Sequence, residues 1–174
     1  MTTASALLIA ADSPLREDVA ALLDEHLRDM YATSPPESVH AMDHGTLAGD
    51  GVVFVTARTA EGVLLGCGAL KEIETGHGEL KSMRTTAAAR GRGVASAVLE
   101  HLTGLAARQD CARLSLETGA ADYFAAARRL YARHGFTVCG PFAGYTEGPD
   151  SVFMTKSLGR PGSYDRTCDQ KRAL

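Results

Sequence analysis

A glycine- and arginine-rich segment at residues 90–95, Arg-Gly-Arg-Gly-Val-Ala, constrains the fold of this chain more than any other stretch. A strand is predicted before it, at about 78–85. A long helix is predicted after it, because apolar residues recur there at three- and four-residue steps: Val94, Val98, Leu102 and Leu105. The chain returns as a strand at 112–116, so the segment lies at the strand-to-helix junction of a βαβ crossover.

The rest of the chain alternates short strands with amphipathic helices. The expected elements are a strand at 6–10, a helix that Asp12-Ser13-Pro14 opens and that runs to about Met30, strands at 52–56 and 63–70, a helix at 122–134, and strands at 136–139 and 151–157. Strands 52–56, 63–70 and 78–85 read as an antiparallel meander. Residues 31–51 contain too many prolines and glycines for one helix, and a loop of this length often carries function.

Composition bounds the classes of protein that remain. The 174 residues, 45% apolar and 22% charged, predict one globular domain at 1–158 and a mobile tail at 159–174. A formal charge of −3 argues against nucleic-acid binding. Four cysteines without metal-ligand spacing predict neither a zinc site nor a disulfide framework. With no signal peptide or membrane span in the sequence, we expect a cytoplasmic protein.

The segment 90–95 has the chemistry of an anion cradle. Glycines let the backbone approach a ligand, the N–H groups and dipole of a helix N-terminus suit a pyrophosphate, and Arg90 and Arg92 add positive charge. The chain lacks both the P-loop pattern and the full G-x-G-x-x-G spacing of a dinucleotide fold. An ordinary glycine-rich turn with solvated arginines is the alternative.

Two motifs together resemble the GNAT superfamily of N-acetyltransferases. Arg90, Gly93 and Ala95 fill its acetyl-CoA loop, [QR]-x-x-G-x-[GA], and residues 127–136 match every fixed position of A-x-x-L-Y-x-x-x-G-F. The resemblance covers about residues 5–158. A group of small bacterial acetyltransferases is similar also through 34–43, 78–83 and 140–145. The implied fold is α/β (α+β), with a mixed, mostly antiparallel sheet of six to seven strands and about four helices.

The resemblance implies acetyl-CoA as co-substrate and no metal. It assigns the coenzyme to backbone groups of Met83, Arg84 and Thr85, to Arg90, Gly91, Arg92, Gly93, Val94, Ala95 and Ser96 of the loop, and to Phe124. Many relatives carry Asn where this chain has Phe124, so that contact is lost or replaced.

Two residues are expected to carry proton transfer. Glu79 lies eleven residues before Arg90, the spacing of the base glutamate in histone-modifying relatives. Its alternatives are a solvated carboxylate paired with Lys71 or Lys81, a relay through water, or replacement by one of the reserve carboxylates Glu72, Glu74 and Glu117. Tyr131 occupies the position of the tyrosine that assists the leaving thiolate. The alternative for Tyr131 is a ring that packs on the core with its hydroxyl in water.

Residues 31–45 correspond to the acceptor pocket of the family. The candidate acceptor-binding residues are Tyr31, Ser38, His40 and Tyr145, although a surface loop histidine and a turn tyrosine are equally ordinary interpretations of the last two. The hypothesis is direct transfer to a small amine, without nucleic-acid or membrane partners, and with a homodimer as an analogy only. A protein or peptide acetyltransferase and an inactive acetyl-CoA sensor remain alternatives.

Overall fold

The computed structural model describes residues 7–159, which form a mixed sheet with helices on both faces. The strands are β1 (Leu8–Ala11), β2 (Val52–Arg58), β3 (Leu64–Glu74), β4 (His77–Thr85), β5 (Arg113–Gly119), β6 (Thr137–Cys139) and β7 (Ser151–Ser157). The helices are α1 (Glu17–Thr33), α2 (His44–Leu47), α3 (Val94–Arg108) and α4 (Ala125–Arg133). Single 3-10 turns lie at Pro36–Ser38, Ala87–Ala89 and Asp122–Phe124.

The sheet has the order β1-β2-β3-β4-β5-β7-β6. Neighbouring strands pair antiparallel except β4 and β5, which pair parallel and are joined through α3. The predicted crossover, the antiparallel meander and the mixed α/β class are therefore confirmed.

The sheet divides between β4 and β5. Paired residues run only from His77–Arg113 to Leu80–Leu116, although β4 continues to Thr85 and β5 to Gly119. Within β4 the register against β3 also slips, and Ser82 takes a positive φ of 54°. This β-bulge redirects the backbone at Ser82 and Met83. Both strands thus leave peptide groups facing the space between them.

Two apolar clusters fix the helices to opposite faces of the sheet. Consecutive strand residues such as Phe54 and Val55 belong to different clusters, as expected when side chains alternate between faces. One cluster packs α1 and α2 residues, including Val19, Leu22 and Leu47. The other packs α3 residues with strand and α4 residues such as Leu116 and Tyr131.

The start of α1 differs from the prediction. Asp12 does not cap the helix, which begins at Glu17; its carboxylate instead accepts hydrogen bonds from Thr56 Oγ1 at 2.7 Å and Arg58 Nε at 3.1 Å. Leu15, which follows Pro14 in the stretch predicted as helix, lies before α1 and is 62% exposed. The interpretation failed because Asp12 has tertiary partners on β2 that its local sequence does not reveal.

The other boundaries shift by a few residues. The predicted helix 122–134 begins at Ala125, since Asp122–Phe124 forms a 3-10 turn. Helix α1 extends to Thr33, and the irregular stretch after it contains the short α2. Ala6 of the predicted first strand and residues 160–174 of the predicted tail lie outside the described residues.

Candidate active site

Two cavities open where β4 and β5 part. The larger one, which we call the loop cleft, has a volume of about 470 Å³. It lies among the end of β4, the segment 90–95, the first turn of α3 and helix α4. The smaller one, the inner cavity, has a volume of about 100 Å³ and lies among β4, the end of β5, α1 and residues 40–41.

The two cavities share one wall. The residues that line both are His26, Met83, Phe124, Ala127 and Tyr131. A ligand in the loop cleft and a ligand in the inner cavity would therefore meet beside the same side chains. This arrangement suits a reaction between two bound molecules.

The loop cleft contains most of the residues predicted to hold a coenzyme. Those that line it are Met83, Arg84, Thr85, Arg90, Gly91, Gly93, Val94, Ala95, Ser96 and Phe124. Arg92 is exposed and does not contribute to the lining. These positions agree with the proposed coenzyme site, which stays a prediction for each residue.

Glycine conformation explains how the segment 90–95 reaches the cleft. Gly91 and Gly93 have φ values of 72° and 80°, which side-chain-bearing residues rarely adopt. Gly93 immediately precedes α3, so the first N–H groups of that helix have no partner within it. Unpaired N–H groups and the positive end of a helix dipole favour an anion, so this geometry is compatible with the anion site predicted from the sequence.

Glu79 lines the inner cavity and is only 4% exposed. Its Oε1 accepts a hydrogen bond from the Tyr145 hydroxyl at 2.6 Å and from Lys81 Nζ at 3.0 Å. Lys81 Nζ also donates to the Tyr145 hydroxyl at 2.7 Å. Burial, and then the hydrogen bond to Glu79, raise the pKa of Tyr145 above its ordinary value. The pairing with Lys81 that the sequence offered exists, but it is buried rather than solvated.

Glu117 is the second carboxylate of the inner cavity, and it stands apart from the Glu79 cluster. Between residues 7 and 159, no lysine, arginine or histidine lies within 4.0 Å of its carboxylate. Burial raises the pKa of Glu117, against smaller lowering effects of Ser151, His40 and Lys81. Of the four carboxylates considered from the sequence, only Glu79 and Glu117 line a cavity; Glu72 and Glu74 are exposed.

Tyr131 lies at the junction of the two cavities. It is 6% exposed, and its ring packs edge-on against Phe136 with centroids 5.9 Å apart. Burial, and then the charge of Glu117, raise the pKa of the Tyr131 phenol. The group therefore keeps its proton at neutral pH and is available as a proton donor. Its ring also packs on the core, as the alternative interpretation expected, but the side chain is buried rather than exposed to surrounding water.

Of the predicted acceptor-binding residues, His40 alone lines the inner cavity. Its ring meets Tyr145 edge-on at 5.1 Å, and Tyr145 lies behind Glu79. Ser38 Oγ donates to Asp150 Oδ2 at 3.1 Å, which ties its loop to the residues before β7. Tyr31 is 56% exposed and lines neither cavity. The acceptor role of Tyr31 and Ser38 thus stays a prediction without support from cavity geometry.

Two contributions to the site were not predicted from the sequence: His26 and the side chain of Arg84. His26 lines both cavities, and burial followed by the charge of Arg84 lowers its pKa to about 4. The Arg84 guanidinium contacts Glu25, Asp29 and the Tyr123 hydroxyl, and so holds α1 and the turn before α4 against β4. The sequence did contain a signal for His26: it lies four residues before Met30, so both side chains are on one face of the helix, and both line the inner cavity.

The described part of the chain contains neither a metal-binding cluster nor a helix that could span a membrane. Residues 7–159 contain no group of three or more His, Cys, Asp or Glu side chains arranged to hold a metal ion. None of the helices in that range is long and apolar enough to cross a bilayer.

Comparison with known proteins identifies the family. The model of the acetyltransferase (GNAT) family matches residues 19–136. The chain is 48% identical over 150 residues to the uncharacterized N-acetyltransferase YsnE of Bacillus subtilis, covering 86% of this chain and 99% of that protein. It is 40% identical over 154 residues to an IAA acetyltransferase of Azospirillum brasilense, covering 86% and 97%.

A solved structure supports the same assignment. A Klebsiella pneumoniae protein, provisionally named an acyl-CoA N-acyltransferase, superposes with a TM-score of 0.71 at 30% identity, over 87% of this chain and 97% of that one. The chain belongs to the GNAT family of acetyltransferases, and it is an acyltransferase. The resemblance drawn from the two motifs is confirmed.

Proposed function

We propose that this acyltransferase moves an acetyl group from acetyl-CoA to the amine of a small molecule, by direct attack while both ligands are bound. The shared wall of the two cavities carries this proposal, because it lets a thioester in the loop cleft meet an acceptor in the inner cavity. Met83 and Tyr131 lie on that wall. The inner cavity is small, which favours a compact acceptor over a folded protein segment.

The coenzyme would lie along the loop cleft. The first turn of α3 and the loop glycines would hold its pyrophosphate, while the bulged backbone at Ser82 and Met83 would face the thioester. Amide donors aimed at the thioester oxygen stabilise the oxyanion that develops during acyl transfer. Phe124 replaces the asparagine contact of many relatives with an apolar ring that lines both cavities.

Proton transfer needs one acceptor and one donor. An alkylammonium with a pKa near 10 costs about 4 kcal/mol to deprotonate at neutral pH, so a carboxylate in the cavity accelerates the reaction. Glu79, the first choice from the sequence, and Glu117, one of its reserves, both line the inner cavity. Tyr131, protonated at neutral pH, would donate its proton to the departing thiolate.

The electrostatics of the inner cavity support a cationic acceptor. Glu79 and Lys81 form an ion pair and largely cancel, and Glu117 remains as a carboxylate without a cationic partner among the described residues. A cavity of this composition attracts an ammonium group and repels a free carboxylate.

The test is thiol release from acetyl-CoA with a panel of acceptors, accompanied by coenzyme binding by calorimetry. The panel contains alkylamines, amino acids, polyamines, arylalkylamines, aminoglycosides, short peptides, and IAA because a 40% identical relative carries that name. We expect turnover with a small primary amine. Coenzyme binding without turnover on any acceptor would favour the sensor alternative, turnover on peptides alone would favour the protein acetyltransferase, and absence of coenzyme binding would contradict the proposal.

A further inference from the structure

We propose that Glu117, and not Glu79, is the carboxylate that binds the acceptor's ammonium group and accepts its proton. This inference rests on the proposed function and assigns one of its roles to a particular side chain. It makes Glu117 the catalytic residue on the acceptor side and gives Glu79 a positioning role.

Glu79 is already engaged. Its Oε1 accepts from Lys81 Nζ and from the Tyr145 hydroxyl, and those two donors are bonded to each other. The three side chains form a closed and nearly neutral cluster, with Glu79 only 4% exposed. Because Lys81 already offsets the charge of Glu79, this carboxylate attracts an incoming ammonium less strongly than an unpaired one would. An ammonium that displaced Lys81 would leave a buried cation without its partner.

Glu117 has the opposite properties. It follows Leu116, the last residue of β5 that pairs with β4, so it lies where the sheet opens. It lines the inner cavity together with its neighbours Thr118 and Gly119. No cation from residues 7–159 approaches its carboxylate within 4.0 Å. A partly desolvated carboxylate without a counter-ion favours the binding of a cation, because the interaction is strong at low dielectric.

The surroundings of Glu117 also suit it as a base. Burial raises the pKa of Glu117, and a base whose pKa moves toward the working pH is more effective. Several titratable or charged groups face Glu117: His40 from the loop before α2, Glu79 and Lys81 from β4, Tyr131 from α4, and Tyr145. The Ser151 hydroxyl from β7 faces it as well. Glu79 raises the pKa of Glu117 further, while His40 and Lys81 lower it.

Tyr131 and Glu117 line the same inner cavity, so one bound acceptor can contact both side chains. The ammonium gives one proton to Glu117, and the free amine attacks the thioester carbon to form the N–C bond. When the C–S bond breaks, the thiolate takes the proton of Tyr131, and the second proton released by nitrogen restores the phenol. Glu117 then loses its proton to solvent. One amide, one thiol and one proton result from each acetyl transferred.

The size of the inner cavity limits the acceptor. About 100 Å³ admits an ammonium on a short carbon chain, and because the cavity opens to the surface, the rest of a larger molecule can remain outside it. The substrate class is therefore a primary alkylamine, or a larger molecule that ends in one.

The first test uses the wild-type protein and can be run before the acceptor is identified. The carboxylates of glutamate are labelled with 13C and titrated by NMR with and without ethylammonium chloride, with coenzyme A bound. We expect the Glu117 carbon to titrate above the ordinary glutamate range and to shift on addition of ethylammonium, whereas Glu79 does not respond. A Glu117 that titrates normally and ignores ethylammonium overturns the inference.

The second test compares pH profiles of kcat/KM for Glu117→Gln, Glu79→Gln and Glu72→Gln, with the best alkylamine of the panel. Glu72 is exposed and outside both cavities, so Glu72→Gln is the matched control for loss of one charge. We expect Glu117→Gln to lower kcat/KM on the order of 10²–10⁴-fold at pH 7, with partial recovery at high pH.

In the wild-type protein kcat/KM should fall at low pH as the base takes up a proton, and we call this fall the acid limb. We expect Glu79→Gln to keep the acid limb and to lower kcat/KM less than Glu117→Gln does. If Glu79→Gln loses that limb and Glu117→Gln keeps it, the inference is wrong. If both keep it, the inference is wrong as well. Failure of the wild-type protein to turn over any panel acceptor would contradict the proposed function instead, and the NMR titration would still decide the binding role of Glu117.

Discussion

The ring of Phe124 packs directly against Gly119 at the end of β5, in the space that a Cβ would occupy. Substituting alanine for Gly119 should therefore change the shape of both cavities. A Cβ at Gly119 would lie 2.1 Å from Phe124 Cδ2, 2.3 Å from Cε2 and 2.8 Å from Cγ. The backbone cannot easily retreat, because the Gly119 carbonyl accepts a hydrogen bond from Arg128 Nη1 at 2.6 Å. The ring therefore has to move, and the cavities that it lines are the space available.

The expected loss of stability follows from the overlap between the added Cβ and the Phe124 ring. Ordinary contact between these atoms begins near 3.4 Å, so Gly119→Ala has to shift the ring by roughly 1 Å or more, and overpacking of this kind costs about 1–3 kcal/mol. We expect the free energy of unfolding to fall by that amount in urea denaturation. We also expect coenzyme A affinity, measured by calorimetry, to fall on the order of tenfold, which corresponds to about 1.4 kcal/mol.

Two variants serve as controls for Gly119→Ala. A Cβ added at Gly148 would meet no atom within 4 Å, and the φ of Gly148 is not positive, so Gly148→Ala should change neither quantity by more than about 1 kcal/mol. Adding Phe124→Leu to Gly119→Ala should restore part of the stability, because the smaller side chain relieves the overlap. A Gly119→Ala protein with unchanged stability and unchanged coenzyme affinity would refute the reasoning.

Three further predictions concern the junction and its supports. Tyr131→Phe keeps the buried ring and removes the proton donor, so we expect kcat to fall on the order of 10²-fold or more while coenzyme A affinity stays within about threefold; unchanged turnover would exclude the role. Because the folded-state pKa of His26, about 4, lies below its ordinary value of 6.5, its contribution to stability is full above pH 6.5 and is lost as the pH falls toward 4. Its upper limit is about 3 kcal/mol, and His26→Gln should flatten this part of a stability–pH curve; an unaltered curve would show that another group dominates. Arg84→Met removes the charged bonds to Glu25, Asp29 and Tyr123 and should cost about 1.5–3 kcal/mol in urea denaturation, with faster hydrogen exchange in α1; equal exchange rates would mean that α1 is held by its apolar face alone.

The sequence predicted the elements well where apolar spacing is regular. The strand at 151–157 has the bounds of β7, and the crossover through α3 follows from Val94, Val98 and Leu102. The prediction failed at the start of α1, where Asp12 binds β2 residues far along the chain. Local patterns carry no information about such partners, so the sequence could not show that Asp12 does not cap the helix.

The site was predictable only in part. The residues of the loop motif line the loop cleft, except Arg92, because a glycine-rich strand-to-helix turn has a fixed geometry, but the motif did not indicate the residues that α1 and α4 contribute. The roles proposed for Glu79 and Glu117 depend on which carboxylate pairs with Lys81. Lys81 donates to Glu79, two residues earlier on the same strand, and to the Tyr145 hydroxyl. His26 lines the site because α1 packs against the sheet there. The sequence predicts the apolar face of α1 but not where that face packs.

The early end of β4–β5 pairing has a consequence for how the protein avoids self-association. An unpaired strand edge normally invites a strand from another chain, and proteins protect outer edges with charges, bulges or short strands. Here an additional edge lies inside the molecule, along Met83–Thr85 and Thr118–Gly119. The gap closes at Leu80–Leu116, and α4 residues such as Ala127 and Tyr131 line it, so only a short length of edge is left for pairing with a second strand. Enclosure within the fold protects this edge, and its peptide groups stay available to a slender ligand.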